Sequence, residues 1–189
     1  KWMDSIKIVY VDDDLDTNIS RYLMKEYQHV DFKKEYNEIT FNSSDGYDSL
    51  INNNLVKEAN IILIDSKLFE NDRVTTGKFS GEEFKIILKK YYPFIEVLVI
   101  TQNEVEPNIG TISKYDFNCG LSPSEYYSKK LPAYIDKAIH NILVYRRLAK
   151  ILELNKSWEV TLKEKILNSL NGIGTYDELS KKDIDNLIN

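Results

Sequence analysis

The chain has 189 residues, 42% of them hydrophobic, and a formal net charge of −5 at pH 7. A chain of this length can bury a core without disulfides or structural metals, and its negative charge argues against broad binding to a phosphate backbone. The single cysteine, Cys119, and the two histidines, His29 and His140, exclude an internal disulfide, a cysteine-based zinc cage and a histidine-rich metal centre. No apolar run approaches the ~20 residues of a membrane span and no signal peptide is recognisable, so we expect a soluble, cytoplasmic protein.

Short apolar segments alternate with longer segments of helical periodicity along most of the chain. The short segments are mainly apolar and do not alternate with polar residues, which is typical of strands buried on both faces. Strands separated by helices predict an α/β protein with a parallel sheet covered on both sides. The segment from Glu104 to Gly120 is expected to hold one helix and a loop. The predicted strands are Ile6–Val11, Ile39–Phe41, Ile61–Ile64, Ile95–Ile100 and Tyr126–Ser128. The predicted helices run from Asp16 or Thr17 to about Tyr27, over Asp45–Lys57, over Gly81–Tyr92, and onward from Pro132.

Polar side chains follow four of the predicted strands. Asp12–Asp14 follow the first, Asp65 the third, Thr101 the fourth and Lys129 the fifth. Because binding sites in parallel sheets lie at the carboxyl ends of the strands, we expect these side chains to converge. Clustered carboxylates repel one another unless a cation neutralises them, and Mg²⁺ prefers such oxygen ligands. Phosphoryl oxygens could then be shared by the ion, the threonine hydroxyl and the lysine ammonium.

These residues, in this order, resemble the receiver domain of two-component response regulators over roughly residues 5–150. The resemblance implies a flavodoxin-like, doubly wound sheet of five parallel strands. It also implies a phosphorylation-dependent signalling switch, not an enzyme, whose phosphodonor is a histidine kinase or phosphotransfer protein. The matching segments are Val11-Asp12-Asp13, Ile61–Asp65, Val97–Thr101 and Tyr126-Tyr127-Ser128-Lys129.

The resemblance assigns a role to each of these side chains. Asp12 and Asp13 would bind Mg²⁺ together with Asp65, which would also accept the phosphoryl group. Thr101 and Lys129 would contact the phosphoryl group once it is attached. In this family an aromatic residue three positions before the lysine changes rotamer with it, and Tyr126 occupies that position.

The chain departs from the family pattern around these residues. The family usually has proline four residues after the acceptor and directly after the lysine, where this chain has Phe69 and Lys130. Gly81 follows Asp65 by sixteen residues, which is more than is usual, and Gln102 stands where the family has a small residue. These departures favour an alternative, a receiver-like adaptor that binds a partner without being phosphorylated.

Two further interpretations start from the first loop. Asp14-Leu15-Asp16-Thr17 resembles the opening motif of haloacid-dehalogenase-type phosphohydrolases, with Thr101 and Lys129 as later motifs. That enzyme would leave Asp65 without a role and would need its acids directly at the strand end, where Asp12 stands. A flavodoxin-type FMN module would need a loop rich in hydroxyls and glycine, whereas these acids would repel a phosphate.

The C-terminal part predicts an extended last helix and a small all-α appendage. We divide the chain into a receiver-like domain, residues 3–150, and a helical C-terminal extension, residues 151–189. The helix from Pro132 to about Lys156 is longer than the sheet requires, so its far end is predicted to pack on the tail or to form a homodimer. A helix-turn-helix would need basic or amide side chains on its last helix, but Asp183–Asn189 has two acids and no Lys or Arg. We therefore do not expect nucleic-acid binding. A second apolar stripe follows the long helix and consists of Trp158, Leu162, Ile166 and Leu170.

Overall fold

The structure, a computed structural model, describes residues 4–42, 44–69, 80–102, 111–154 and 160–171. Five parallel strands form one sheet in the order β2-β1-β3-β4-β5. This order is that of the flavodoxin-like doubly wound fold and confirms the predicted fold class. The strands are β1 (Ser5–Asp12), β2 (Lys33–Thr40), β3 (Ile61–Asp65), β4 (Glu96–Thr101) and β5 (Thr111–Ser113).

Helices cover both faces of the sheet. The side chain of Asp16 accepts hydrogen bonds from the backbone N–H groups of Asn18 and Ile19, so Asp16 caps the first helix as predicted. The predicted Asp45–Lys57 helix is divided in two, because Asn53 caps a new helix. The helices are α1 (Thr17–Arg21, continued by a π-helical turn over Tyr22–Glu26), α2 (Asp48–Ile51), α3 (Asn54–Glu58), α4 (Gly81–Tyr91), α5 (Pro123–Leu154) and α6 (Val160–Asn171), with a 3₁₀ turn over Phe117–Cys119.

Alternate side chains of the strands enter two separate hydrophobic cores. The core under α1 and α5 contains Tyr10 and Leu63, and the core under α2, α3 and α4 contains Val11 and Ile64. Both faces of the sheet are therefore buried, which explains why the strands have no apolar–polar alternation. Within the described parts of the chain, no helix is long and apolar enough to cross a membrane.

The predicted fifth strand is wrong. Tyr126–Ser128 lie in α5, and Pro132 lies inside that helix instead of opening it. The helix starts earlier because Ser122 and Glu125 form a capping box: the Ser122 hydroxyl accepts from the Glu125 N–H at 3.2 Å, and the Glu125 carboxylate accepts from the Ser122 N–H at 2.9 Å. Pro123 takes the first helical position, where its missing N–H costs nothing.

The true fifth strand follows β4 after residues 102–110. This connection is shorter than the dozen or so residues that a crossover between parallel strands usually needs. Most of it, 103–110, lies outside the described residues, and so does the first part of the predicted Glu104–Gly120 helix and loop, whose described remainder holds β5 and the 3₁₀ turn. Residues 172–189, with the C-terminal part of the predicted appendage, also lie outside the described residues. The division into two domains at residue 150 stays a prediction.

Candidate functional site

Three carboxylates converge at the carboxyl edge of the sheet. Parallel pairing of Val11 with Ile64 brings the ends of the neighbouring strands β1 and β3 to the same level, so Asp12 and Asp65 meet there. Asp13 follows directly, and one carboxylate oxygen from each of the three residues lies within 4.8 Å of the others. Asp12 and Asp65 are buried, whereas Asp13 is exposed. The predicted acidic cluster is therefore present, with one side open to solvent.

Lys114, the residue after β5, joins two of these carboxylates. Its Nζ lies 3.0 Å from Asp12 Oδ2 and 2.8 Å from Asp65 Oδ1, and only 7% of its side chain is exposed. Burial lowers the pKa of Lys114, but the hydrogen bonds and charges of Asp65 and Asp12 outweigh it, so the net pKa is raised. The ammonium is thus held in its charged form beside Asp65.

Tyr10, in the middle of the buried β1, also binds Asp12. Its hydroxyl donates to Asp12 Oδ2 at 2.5 Å and accepts from the Asp16 N–H at 3.2 Å. Burial raises the pKa of Asp12, but the Tyr10 hydrogen bond and the Lys114 charge and hydrogen bond lower it by more. The net pKa therefore lies below the ordinary value. Asp12 is therefore an ionised, oriented carboxylate at neutral pH.

Asp13 is in the opposite electrostatic situation. Burial raises its pKa, and the neighbouring charges of Asp12 and Asp65 raise it further. A carboxylate whose ionisation is opposed by its neighbours gains when a cation arrives. The chemistry of the three oxygen donors fits a hard divalent ion such as Mg²⁺.

The residues directly after Asp65 are held against the start of α4. Asp65 Oδ2 accepts from the Lys67 N–H at 2.8 Å, and the Gly81 N–H donates to the Ser66 carbonyl at 2.8 Å. A Cβ on Gly81 would lie 2.8 Å from both the Asp65 carbonyl oxygen and Ser66 Cα, so only glycine fits there without a backbone shift. Gly81 is thus in contact with Asp65 and Ser66 although it is sixteen residues from Asp65.

Thr101 ends β4 at the same edge and is 5% exposed. Its carbonyl accepts from the Lys114 N–H at 2.7 Å, which ties β4 to the segment that carries the lysine. Gln102, the next residue, is exposed. The structure therefore brings Thr101 to the edge that Asp12 and Asp65 share, as predicted.

Lys129 does not take the predicted place. It is exposed on α5, and the lysine at the acidic cluster is Lys114. The position three residues before Lys114 is held by Thr111, whose hydroxyl donates to Glu82 at 3.1 Å, so no aromatic side chain stands there. Tyr126 reaches the same region from α5, where its hydroxyl donates to the Ser113 carbonyl.

Sequence reasoning missed Lys114 and Tyr10. The signal that could have found Lys114 is the Ser-Pro-Ser-Glu segment at 122–125, a helix start that excludes a strand at Tyr126 and moves the fifth strand upstream. Tyr10 had no such signal, because a tyrosine within an apolar run is ordinary in a buried strand.

Comparison with known proteins adds one solved structure. No family model and no curated protein matches the chain. The structure is similar to the crystal structure of a two component transcriptional regulator AraC from Clostridium phytofermentans ISDg, with a TM-score of 0.44 and 15% identity, over 76% of this chain and 99% of that one.

The chain has the flavodoxin-like doubly wound fold. Its strand order is 2-1-3-4-5, and the acidic cluster lies at the carboxyl edge next to the central strand, where ligands of doubly wound sheets bind. The phosphohydrolase interpretation needs Asp14 and Asp16 at the strand end. In the structure Asp14 is exposed in the loop after β1, and Asp16 caps α1.

Proposed function

We propose that the chain is a phosphorylation-dependent signalling switch, a two-component response regulator that accepts a phosphoryl group on Asp65 and passes the change to a partner or output region. The observation that carries the proposal is the position of Lys114, whose ammonium binds Asp65 and Asp12 from a third strand end. An acceptor carboxylate, an acid pair and a buried cation then share one edge, which is the set of groups that a phosphoryl site needs.

Asp12, Asp13 and Asp65 would hold the Mg²⁺ ion. When bound, the ion would supply positive charge to the phosphoryl oxygens and so permit an anionic donor to approach a negative site. Asp13, the exposed member of the cluster, faces the solvent from which ion and donor arrive.

The transfer uses a carboxylate oxygen of Asp65 as the nucleophile. This oxygen attacks the phosphorus of a phosphohistidine, the new O–P bond forms, and the P–N bond breaks with its electron pair left on the imidazole, which takes a proton from solvent. Lys114, now paired with the Asp65 carboxylate, would pair instead with the phosphoryl oxygens, and the Thr101 hydroxyl would be the neutral donor at the same edge. We propose a histidine kinase or phosphotransfer protein as donor, a cytoplasmic location, and no enzymatic activity on a separate substrate.

The test is the intact mass after incubation with acetyl phosphate and Mg²⁺. We expect a gain of about 80 Da, the mass of HPO₃, that hydroxylamine removes because an acyl phosphate is labile. Asp65→Asn should show no gain, and the matched control Asp14→Asn, at an exposed acid outside the cluster, should behave as the unaltered protein. Phosphate that persists in Asp65→Asn would contradict the assignment.

A second candidate is the receiver-like adaptor that works without phosphorylation. The favouring observation is that Lys114 already pairs with both Asp12 and Asp65, so the one buried cation offsets one of these two charges without an ion. Beryllofluoride, which imitates a phosphoryl group on a carboxylate, separates the two functions. An amide NMR spectrum that does not respond to beryllofluoride with Mg²⁺ would favour the adaptor.

A further inference from the structure

Two adjacent tyrosines of α5 hold the backbone on both sides of Lys114. The Tyr126 hydroxyl donates to the Ser113 carbonyl at 2.8 Å, and the Tyr127 hydroxyl accepts from the Tyr115 N–H at 2.9 Å. These two bonds fix the peptide units before and after the lysine. We call Tyr126 and Tyr127 the tyrosine clamp.

The clamp acts where the sheet itself gives little support. β5 has three residues and, among the residues that the structure describes, pairs with β4 alone. The Lys114 N–H is bonded to the Thr101 carbonyl at 2.7 Å. Each such hydrogen bond contributes modestly by itself. Together they fix the backbone of a lysine whose Nζ must stay within reach of acids on two other strands.

Both tyrosine side chains are buried, so the packing around the rings restricts where their hydroxyls can lie. Tyr127 is 0% exposed and packs on Tyr22, with ring centroids 6.2 Å apart. Tyr126 lies edge-on to Tyr115 at 5.7 Å. Tyr115 can take part because it has an N–H, which the proline that usually follows the lysine in receiver domains would lack.

We propose that the tyrosine clamp positions Lys114 for a phosphoryl group on Asp65 and couples that group to α5. The inference rests on the proposed function and names the positioning residues of its site. When Lys114 moves from Asp65 toward phosphoryl oxygens, the adjoining peptide units must move or strain, and both are bonded to the first turns of α5. The displacement therefore passes to the long helix directly, without an aromatic residue on β5.

The test removes the two hydroxyls and keeps the rings, in the Tyr126→Phe/Tyr127→Phe double variant. Tyr134→Phe is the matched control, since Tyr134 is a half-buried tyrosine on the same helix outside the clamp. Three quantities are measured on the full chain: hydrogen exchange of the Lys114 ammonium by ¹⁵N NMR without ligand, Mg²⁺ affinity, and beryllofluoride affinity in Mg²⁺ together with the shifts of α5 amides.

We expect the double variant to exchange the Lys114 ammonium about tenfold faster and to bind beryllofluoride about tenfold more weakly, a change of about 1.4 kcal/mol. The α5 shifts should shrink. Mg²⁺ affinity should not fall, because the three acids belong to β1, β3 and the loop after β1 and keep their positions, and Tyr134→Phe should match the unaltered protein.

Unchanged ammonium exchange and unchanged beryllofluoride affinity in the double variant would overturn the inference. A parallel loss of Mg²⁺ affinity would also overturn it, because the substitutions would then act on the whole site. If the unaltered protein itself ignores beryllofluoride, the proposed function fails and the phosphoryl role of the clamp fails with it, while the ammonium exchange still decides whether the tyrosines position Lys114.

Discussion

At the scale of single residues, Lys114 has two roles: it neutralises charge between Asp12 and Asp65, and in the proposed function it binds the phosphoryl oxygens. Its loss would leave Asp12 and Asp65 buried beside each other without a cation, and breaking a buried pair from one side costs about 3–5 kcal/mol. Lys114→Met should therefore lower the free energy of unfolding by about that amount, whereas Lys129→Met, at the exposed lysine, should change it by less than about 0.5 kcal/mol. Urea unfolding without Mg²⁺ measures both, and equal losses would contradict the structural placement of the two lysines.

The effect of Mg²⁺ on stability should depend on Asp13. At an ion concentration about ten times its Kd, binding to the folded state adds about 1.4 kcal/mol and raises Tm. Asp13→Asn should remove that increase. It should also make the ion-free protein slightly more stable, because the raised pKa of Asp13 shows that its charge is opposed by Asp12 and Asp65.

Thermal unfolding with and without Mg²⁺ measures this pair of opposite effects, and Asp14→Asn is the matched control. A melting temperature that ignores millimolar Mg²⁺ would count against the ion site. An Asp13→Asn protein that is less stable without the ion would count against the electrostatic description of the cluster.

The acids and Thr101 could be predicted because each follows a mainly apolar strand. A fully buried run such as Ile61–Ile64 ends where the chain meets water, and the next polar residue marks the sheet edge. Lys114 could not be found in this way. Its strand has three residues, of which Ile112 alone is a large apolar side chain, so no run marks it.

At the scale of secondary-structure elements, the capping box at the start of α5 sets where the helix and the tyrosine clamp begin. The hydrogen bonds from Ser122 lower the pKa of Glu125 below its ordinary value of 4.5. A depressed carboxylate pKa adds stability that is present above the pKa of the unfolded chain and is lost as the pH falls through the folded pKa.

We therefore expect Glu125→Ala to melt below the unaltered protein at about pH 7 and the difference to shrink as the pH falls below the ordinary glutamate pKa and through the lowered pKa of the folded state. Scanning calorimetry across this range measures the difference. A gap that is independent of pH would show that the carboxylate charge does not contribute to the cap.

Elements of ordinary length were predictable and the exceptions have physical causes. α4 follows from its apolar face and the Ser80–Glu83 capping box, and α1 from its Asp16 cap. Tyr126 and Tyr127 were consistent with a strand because aromatic residues are frequent in strands. In the structure both lie on α5, and their side chains are buried in the core under that helix. β2 is longer than predicted because it lies at the sheet edge, where polar residues such as Lys33 and Glu38 are tolerated.

At the scale of the whole molecule, α5 connects the two edges of the sheet. Its first turns bind the lysine segment at the carboxyl edge, while Arg146 donates to the Ser5 carbonyl at 2.8 Å and Tyr145 donates to Glu96 at 2.6 Å at the amino edge. Its 32 residues span about 48 Å. Beyond the sheet, α6 packs against α5, with Ile166 and Leu170 buried against Ala149.

The homodimer predicted from the sequence stays a prediction, and we expect it to use the exposed apolar side chains near the end of α5. Leu148, Ile151 and Leu154 are 42%, 56% and 82% exposed on the part of α5 beyond the sheet. We expect the full chain to sediment as a dimer and Ile151→Lys to sediment as a monomer, because a buried lysine would oppose pairing. Ile86→Lys, at an isoleucine that is 73% exposed on α4, is the matched control and should remain dimeric. A monomeric full chain would show that this prediction is wrong.

The turn over Phe117–Cys119 gives the molecule a built-in attachment point for reporters. Cys119 is the single cysteine of the chain and its thiol is exposed, between the strand end that carries Lys114 and the first turn of α5. A maleimide dye would therefore label one defined position without any substitution. Its emission would follow the connection that the tyrosine clamp holds, and a nitroxide at the same atom would give the separation between two copies from their dipolar coupling.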